Sequence, residues 1–158
     1  MNKDFLAITD LTRHEIEAIF ELTKQLKLDV IRGVSHHRLQ GQTLAMVFAK
    51  PSARTRVSFE TGMYQLGGHA LYLGPNDIGI GTRESVGDIA RVLSRYNNGI
   101  MARLFDHKHI EELAENATAP VINGLTDYNH PRQVMADIFT VLEHRGTLEN
   151  LKVAFVGD

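Results

Sequence analysis

Short apolar runs alternate with longer amphipathic segments along most of the chain. The apolar runs have the length of buried strands and cover residues 43–49, 69–74, 99–105, 119–124 and 152–158. Apolar residues recur at helical spacing in segments 54–66, 84–96, 109–117 and 131–146. Because strands that alternate with helices build a parallel sheet with helices on both faces, the pattern predicts an α/β fold.

A further helix is expected before the first strand. Thr12 and Glu15 have the spacing of a capping box, which marks the start of a helix. A rough apolar stripe follows, formed by Ile16, Ile19, Phe20 and Leu26. We expect this helix to pack on the sheet from outside.

The last apolar run, residues 152–158, predicts a second domain. It follows a hinge-like segment and has the Val-rich composition of a buried strand. The sequence therefore predicts one domain with a parallel four-stranded sheet over residues 1–146. Residues 147–158 are predicted to be a hinge and the first strand of a truncated second α/β domain, whose remainder is expected to lie outside this chain.

The composition is that of an ordinary globular protein. The chain has 158 residues, of which 43% are apolar and 23% charged, and its net charge is −2. This charge gives no overall basic field for nucleic acid or an anionic membrane. The sequence contains no cysteine, which excludes disulfides and thiolate chemistry. With no signal-like start and no membrane-length apolar run, a cytoplasmic location is expected.

Cationic and polar residues follow the predicted strands at the edge where parallel strands end. They are Lys50, Ser52, Arg54, Thr55 and Arg56 after the first strand, Arg83 after the second, Arg103 in the third, and Asp127, His130 and Gln133 after the fourth. Since ligands of open α/β sheets bind beyond the carboxyl ends of the strands, we expect these side chains to share one site.

The junction after the first strand has the features of an anion site. Ser52 is suited to cap the next helix, whose first N–H groups have no partner within the helix. Arg54 in the first turn is unfavourable unless an anion is present, because cations prefer the other end of a helix. A phosphate could meet these amides, the Thr55 hydroxyl and the Arg54 guanidinium together. The alternative is a solvated helix start on which Arg56 and Glu60 pair.

The junction after the fourth strand has the sequence His130-Pro131-Arg132-Gln133. Proline suits the first helical position and favours an extended backbone at His130, whose imidazole could donate to a carbonyl oxygen. The alternative for His130 is a purely capping role.

Two other features predict no further site. The glycine-rich loop 75–82 lacks the lysine of a P-loop, and it is interpreted as a flexible loop before a helix capped by Thr82. His107 and His109 are two residues apart at a helix start, where they do not face one metal ion. No metal site is therefore expected.

The motifs together resemble the aspartate/ornithine carbamoyltransferase family. The segments are "FAKPSARTRVSFE", "GTRESVGDIARVLSRY", "MARLF" and "VINGLTDYNHPRQVMADIFTVLEH", and they span essentially the whole chain. The tract "ESVGDIARVLSRYNNGIMARLFDH", with "NGLTDYNHPRQ", is more similar to ornithine than to aspartate carbamoyltransferases. The resemblance is to the N-terminal, carbamoyl-phosphate-binding half, and "KVAFVGD" resembles the opening of the amino-acid-binding domain.

The resemblance implies a role for each site residue. Ser52, Arg54, Thr55 and the backbone of Ala53 would bind the phosphate of carbamoyl phosphate. Arg103 and His130 would be the catalytic residues that hold the carbamoyl oxygen, and Gln133 would hold the carbamoyl nitrogen. Arg132, in the variable position of the family's HPxQ motif, would be a solvated helix residue. L-ornithine, bound through the second domain, would be converted to L-citrulline within arginine metabolism, without metal or organic cofactor. The chain alone is expected to be inactive.

The resemblance also implies a homotrimer or a multiple of trimers. The loop after the second strand, with Gly79 and Arg83, would reach the site of a neighbouring subunit. Two departures from the family pattern leave alternatives open: Ala53 replaces the first threonine of S-T-R-T-R, and Gly79 replaces a glutamine. The chain could serve another acceptor, such as a modified ornithine, a diamine or aspartate. It could also be a non-catalytic anion-binding or trimerising module.

Overall fold

The computed structural model describes residues 4–80 and 83–156, and this part of the chain alternates strands and helices as predicted. The elements in chain order are a 3₁₀ turn Ile8–Asp10, α1 Arg13–Ile31, β1 Thr43–Phe48, α2 Ala53–Gln65, β2 His69–Leu73, α3 Pro75–Ile78, α4 Val86–Tyr96, β3 Gly99–Arg103, α5 His107–Asn116, β4 Val121–Leu125 and α6 Pro131–Arg145. Gly146 ends α6 in a left-handed conformation with φ 76°.

The four strands form one parallel sheet with the order β2–β1–β3–β4. In the register, Val47 of β1 lies opposite Leu73 of β2 and opposite Ala102 of β3. The chain leaves β1 towards β2 on one side and leaves β3 towards β4 on the other. The carboxyl ends of β1 and β3 therefore flank the point where the strand order reverses, which is the usual ligand crevice of such sheets.

Helices cover both faces of the sheet, which confirms the predicted fold class. Along β1, Ala45 and Val47 face a cluster that includes Ile89 of α4 and Leu113 of α5. The alternate residues Leu44, Met46 and Phe48 face a second cluster with Met63 of α2. Because β1 is covered on both sides, its central residues are buried almost completely, as its uninterrupted apolar sequence predicts.

The first helix begins as predicted but packs elsewhere. Thr12 accepts a hydrogen bond from the Glu15 amide, and the Glu15 carboxylate accepts from the Thr12 amide, so the capping box is present. Phe20 lies 5.5 Å from Phe139 of α6, ring centroid to centroid, and no strand residue belongs to this buried cluster. The expected packing on the sheet is therefore wrong. No helix of the described residues is long and apolar enough for a membrane span.

The predicted fifth strand is absent from residues 152–156, the part of segment 152–158 that the structure describes. Val153, Phe155 and Val156 are 78%, 89% and 95% exposed. A strand needs a neighbour for its backbone groups, and no strand of residues 4–80 or 83–156 pairs with this segment. The division into domains at residues 146 and 147 remains a prediction.

The glycine-rich loop is partly helical. Its first residues form α3, which ends at Gly79 with φ 53°. Helix α4 begins after Ser85, whose hydroxyl accepts a hydrogen bond from the Asp88 amide at 3.1 Å. The predicted cap residue Thr82 lies outside the described residues.

Candidate functional site

A cavity of about 380 Å³ lies at the carboxyl edge of the sheet, where the start of α2, the end of β3 and the start of α6 meet. Six residues that the sequence predicts for one site line it: Ser52, Arg54, Thr55, Arg103, His130 and Gln133. Their convergence follows from the parallel sheet, because strands β1, β3 and β4 all end at this edge.

The start of α2 has the predicted cap. The Ser52 hydroxyl oxygen accepts a hydrogen bond from the Thr55 amide at 3.3 Å and donates to Thr55 Oγ1 at 3.0 Å. Thr55 is only 3% exposed, so its hydroxyl is held at the base of the cavity. The amides of the first helical turn are not used within the helix and carry partial positive charge.

Arg103 ends β3 at an irregularity in the pairing with β4, between Ala102 and Arg103. Its side chain is half-buried, and its buried Nε has no hydrogen-bond partner among the described residues. Burial, and then the nearby Arg54 guanidinium, lower the pKa of Arg103 from its usual value. The guanidinium stays charged at neutral pH because its usual pKa is so high.

His130 precedes α6 with an extended φ of −138°, and Pro131 is the first residue of that helix, as predicted. The buried Nδ1 of His130 has no partner within residues 4–80 and 83–156. Burial, Arg132 and Arg103 lower the pKa of His130, while Asp137 opposes them. The imidazole is therefore neutral at neutral pH and retains one N–H donor.

Gln133 is the hydrogen-bond acceptor of a site otherwise rich in donors. Its Nε2 donates to Asp137 Oδ1 at 2.9 Å, one helical turn further along α6. With Nε2 held by this bond, the side-chain oxygen Oε1 is the atom that can accept from a ligand N–H.

Three lining residues were not predicted, namely Ser58, Leu125 and Arg132. The expected solvated position of Arg132 is wrong: its Nη2 donates to Thr55 Oγ1 at 2.7 Å, and its guanidinium lies 5.0 Å from the Phe59 ring centroid. The sheet brings the start of α6 opposite α2, and the spacing of apolar residues within one helix does not predict how that helix lies relative to another. The signal was nevertheless present, because Arg132 occupies the same unfavourable second helical position as Arg54.

Ser58 also carries a sequence signal. It follows Ser52 and Thr55 at intervals of three residues, which places all three hydroxyls along one side of α2. Its hydroxyl donates to the Thr55 carbonyl oxygen at 2.9 Å. Leu125, at the end of β4, has no comparable polar signal.

Other predicted residues do not line the cavity. Ala53 is exposed at the first position of α2. The Arg83 amide donates to the Gly79 carbonyl at 2.8 Å within the loop after β2, and neither residue lines the cavity. Their expected role concerns a neighbouring subunit, which a single chain does not test.

Arg56 and Glu60 support α2, as the alternative interpretation of that helix start predicted for them. Arg56 Nε lies 3.1 Å from Glu60 Oε1, and its guanidinium stacks 4.0 Å from the Tyr72 ring centroid. Asp127, which follows β4, accepts from the His107 amide at 2.9 Å at the start of α5. Within residues 4–80 and 83–156, no group of three or more His, Asp or Glu could hold a metal ion.

The lining therefore combines three guanidinium groups, one neutral imidazole, several hydroxyls and no carboxylate. Such a set has strong donors and net positive charge, and it is complementary to an anion that also carries a carbonyl oxygen.

Residues 3–143 match the family described as "Aspartate/ornithine carbamoyltransferase, carbamoyl-P binding domain". The chain belongs to the aspartate/ornithine carbamoyltransferase family. The resemblance drawn from the sequence motifs is confirmed.

Individual proteins similar to this chain support the same family assignment. The chain is 51% identical over 156 residues to ornithine carbamoyltransferase of Thermococcus kodakarensis, with 99% of this chain and 50% of the relative covered. It is 55% identical over 157 residues to the chloroplastic ornithine carbamoyltransferase of Pisum sativum, covering 99% and 42%. The ornithine carbamoyltransferase structure from Pyrococcus furiosus matches with a TM-score of 0.90 and 52% identity over 92% of this chain and 47% of that one. The chain thus spans about half the length of these relatives.

Proposed function

We propose that this chain supplies the carbamoyl-phosphate-binding half of an ornithine carbamoyltransferase. The observation that carries the proposal is the cavity with three guanidiniums, an imidazole and no carboxylate at the point where the strand order reverses. Its position and charge suit an acyl phosphate, and the family match describes a carbamoyl-phosphate-binding domain.

The phosphate group would lie at the start of α2. The Arg54 guanidinium, the Thr55 hydroxyl and the backbone amides of Ala53 and Arg54 would donate to its oxygens, since the Thr55 amide is already bonded to Ser52. Ser52 would hold the helix start in place through its bonds to Thr55. In this position the phosphate removes the cost of placing a cation at the positive end of a helix.

The carbamoyl group would lie between β3 and α6. Arg103 and His130 each have a buried ring or guanidinium nitrogen without a partner among the described residues, and both would donate to the carbamoyl oxygen. The Gln133 Oε1 would accept from the carbamoyl –NH₂, because its Nε2 is held by Asp137.

In the reaction, the uncharged δ-amine of L-ornithine attacks the carbamoyl carbon and a C–N bond forms. Negative charge develops on the carbamoyl oxygen, where Arg103 and His130 stabilise it. The intermediate collapses by breaking the C–O bond to phosphate, the attacking nitrogen loses its proton to the leaving phosphate, and L-citrulline and hydrogen phosphate result. Catalysis is mainly positioning and electrostatic stabilisation, and removing one such donor typically lowers kcat by roughly 10²–10³-fold.

Acceptor binding would involve residues outside this chain, so a polypeptide of these 158 residues is proposed to bind carbamoyl phosphate without turning it over. We also propose that the protein is a cytoplasmic homotrimer, or a multiple of trimers. In this assembly the loop with Gly79 and Arg83 approaches the neighbouring site. Light scattering of the purified chain would test the assembly.

The proposal is tested by titrating the chain calorimetrically with phosphonoacetamide, a stable analogue that carries both a phosphoryl group and a carbonyl amide. Binding that competes with inorganic phosphate is expected, and no binding of either compound would contradict the proposal. The acceptor is tested with the gene product that carries this chain, offered L-ornithine, a diamine or L-aspartate in parallel. Ornithine is expected to be carbamoylated fastest, and preference for another amine would support the alternative acceptor.

A further inference from the structure

Two arginines occupy equivalent positions at two helix starts. Arg54 is the second residue of α2, and Arg132 is the second residue of α6. Each lies at the partially positive end of its helix, where a cation is unfavourable. Both side chains line the same cavity, so the two unfavourable placements point to one common negative partner.

Contacts from two directions hold Arg132 against this cavity. Its Nη2 donates to Thr55 Oγ1 at 2.7 Å, and its guanidinium lies over the Phe59 ring at 5.0 Å. Its Nε is buried and has no partner among the described residues. An arginine that only covered the helix surface would keep its Nε–H in water, because a buried donor without a hydrogen-bond partner costs free energy.

The contact with Arg132 also fixes the direction of the Thr55 hydroxyl. Thr55 Oγ1 accepts hydrogen bonds from both Ser52 Oγ and Arg132 Nη2. Both lone pairs of the hydroxyl oxygen are then used, and its own proton is left to donate elsewhere. Because Thr55 lines the cavity, that proton is available to an anion bound there.

We propose that Arg132 is a third guanidinium of the anion site, which binds the phosphate group directly and orients the Thr55 hydroxyl towards it. This inference rests on the proposed function and adds a residue to it. Arg54, Arg103 and Arg132 together bring more positive charge than a phosphate dianion neutralises. The site should therefore favour the dianion over the monoanion, and it should retain the product phosphate.

The electrostatics of the free site agree with this assignment. Burial, and then the nearby Arg103, lower the pKa of Arg132. Burial, and then Arg132 and Arg103, lower the pKa of His130, and Asp137 opposes them. The cavity lining contains these cations and no carboxylate, so a bound dianion would relieve the repulsion between them.

The test is a calorimetric titration of the chain with inorganic phosphate. Arg132→Gln removes the charge but keeps donors of similar reach, and it is expected to weaken phosphate binding roughly 10- to 100-fold, as for a lost hydrogen bond to a charged group. Arg132→Lys keeps the charge without the planar fork and should fall between this variant and the parent. Arg145→Gln makes the same charge change in the last turn of α6, far from the cavity, and should leave affinity unchanged.

A second measurement separates binding from a merely structural role. Phosphate affinity is measured against salt concentration, and Arg132→Gln should reduce the steepness of this dependence, whereas a neutral structural contact would not affect it. Circular dichroism checks that each variant folds. If Arg132→Gln does not fold, the phosphate affinity of Arg132→Lys is compared with that of the parent instead.

Unchanged phosphate affinity in Arg132→Gln, together with lost binding in Arg54→Gln, would overturn this inference and leave the proposed function standing. If the parent chain bound neither phosphate nor phosphonoacetamide, both would be overturned.

Discussion

Gln133 and Asp137 lie one turn apart on α6 and are joined by a hydrogen bond of 2.9 Å from Nε2 to Oδ1. This bond orients the Gln133 amide, because it holds one N–H of Nε2 on Asp137 and leaves Oε1 as the acceptor for a ligand. An exposed carboxylate outside the cavity lining thereby sets the direction of an acceptor inside it.

The bond predicts a selective effect of Asp137. Asp137→Ala should weaken binding of phosphonoacetamide by roughly 3- to 10-fold, the range for one hydrogen bond, because the freed amide no longer presents Oε1 reliably. Binding of inorganic phosphate should change little, since it has no –NH₂ group. Calorimetric titrations of the parent and of Asp137→Ala with both compounds measure the loss of affinity for each.

Asp137→Asn is the matched control, since its side-chain oxygen can still accept from Gln133. It should keep most of the preference for phosphonoacetamide. Equal losses for both ligands in Asp137→Ala would show that Asp137 acts through helix stability or overall charge instead.

The second prediction concerns Ala53, at a position where the resemblance drawn from the sequence implies a threonine. Ala53→Thr adds a hydroxyl at the first position of α2, and it should tighten phosphonoacetamide binding by roughly 3- to 10-fold if the hydroxyl reaches the phosphate. Ala53→Val has nearly the same shape without the hydroxyl. Competitive titration of the two variants measures the difference, and equal affinities would mean that only the backbone amide at this position matters.

The third prediction is a pH dependence from His130. Its pKa is lowered in the folded chain, whereas in the unfolded chain it would take up a proton near its usual value of about 6.5. As the pH falls below that value, the unfolded state binds the proton first, so the free energy of unfolding decreases until the folded-state pKa is passed. Denaturant unfolding of the parent should therefore show a steeper loss on acidification than His130→Gln.

Ligand binding should reverse part of this shift. A bound phosphonate brings negative charge close to His130 and favours the imidazolium, so saturating phosphonoacetamide should raise the pKa of His130. Proton NMR of the histidine ring, assigned by comparison with His130→Gln, follows this directly. A pKa that is unaffected by ligand would place the anion away from His130.

The residues of the candidate site could be predicted largely because the fold is regular. Once β1, β3 and β4 are read as parallel strands, the residues after them must meet at one edge, and Ser52 and Pro131 mark where the helices begin. The sequence did not place Arg132 there, because its position depends on how α6 lies across from α2. The same cation-at-helix-start argument that identified Arg54 applies to Arg132 as well.

The strand predicted at residues 152–158 is not formed over residues 152–156, for a different reason. Its apolar composition is that of a strand, but a strand forms only when another backbone supplies hydrogen bonds. Phe155 is 89% exposed, and residues 152–156 have no strand partner in the described part of the chain. The composition of such a segment indicates a preference for the strand conformation, but the strand forms only where a neighbouring strand is present to pair with it.

The central claim is that an anion binds at the start of α2, and two arginines two residues apart test it most directly. Arg54 lines the cavity, whereas Arg56 pairs with Glu60 and stacks on Tyr72. Arg54→Gln and Arg56→Gln remove the same charge from the same helix. Calorimetric titration of both variants with phosphonoacetamide therefore separates the contribution of the cavity from that of the overall charge. We predict that Arg54→Gln weakens binding by roughly 10- to 100-fold, while Arg56→Gln binds as the parent does. Equal affinities of the two variants would contradict the account.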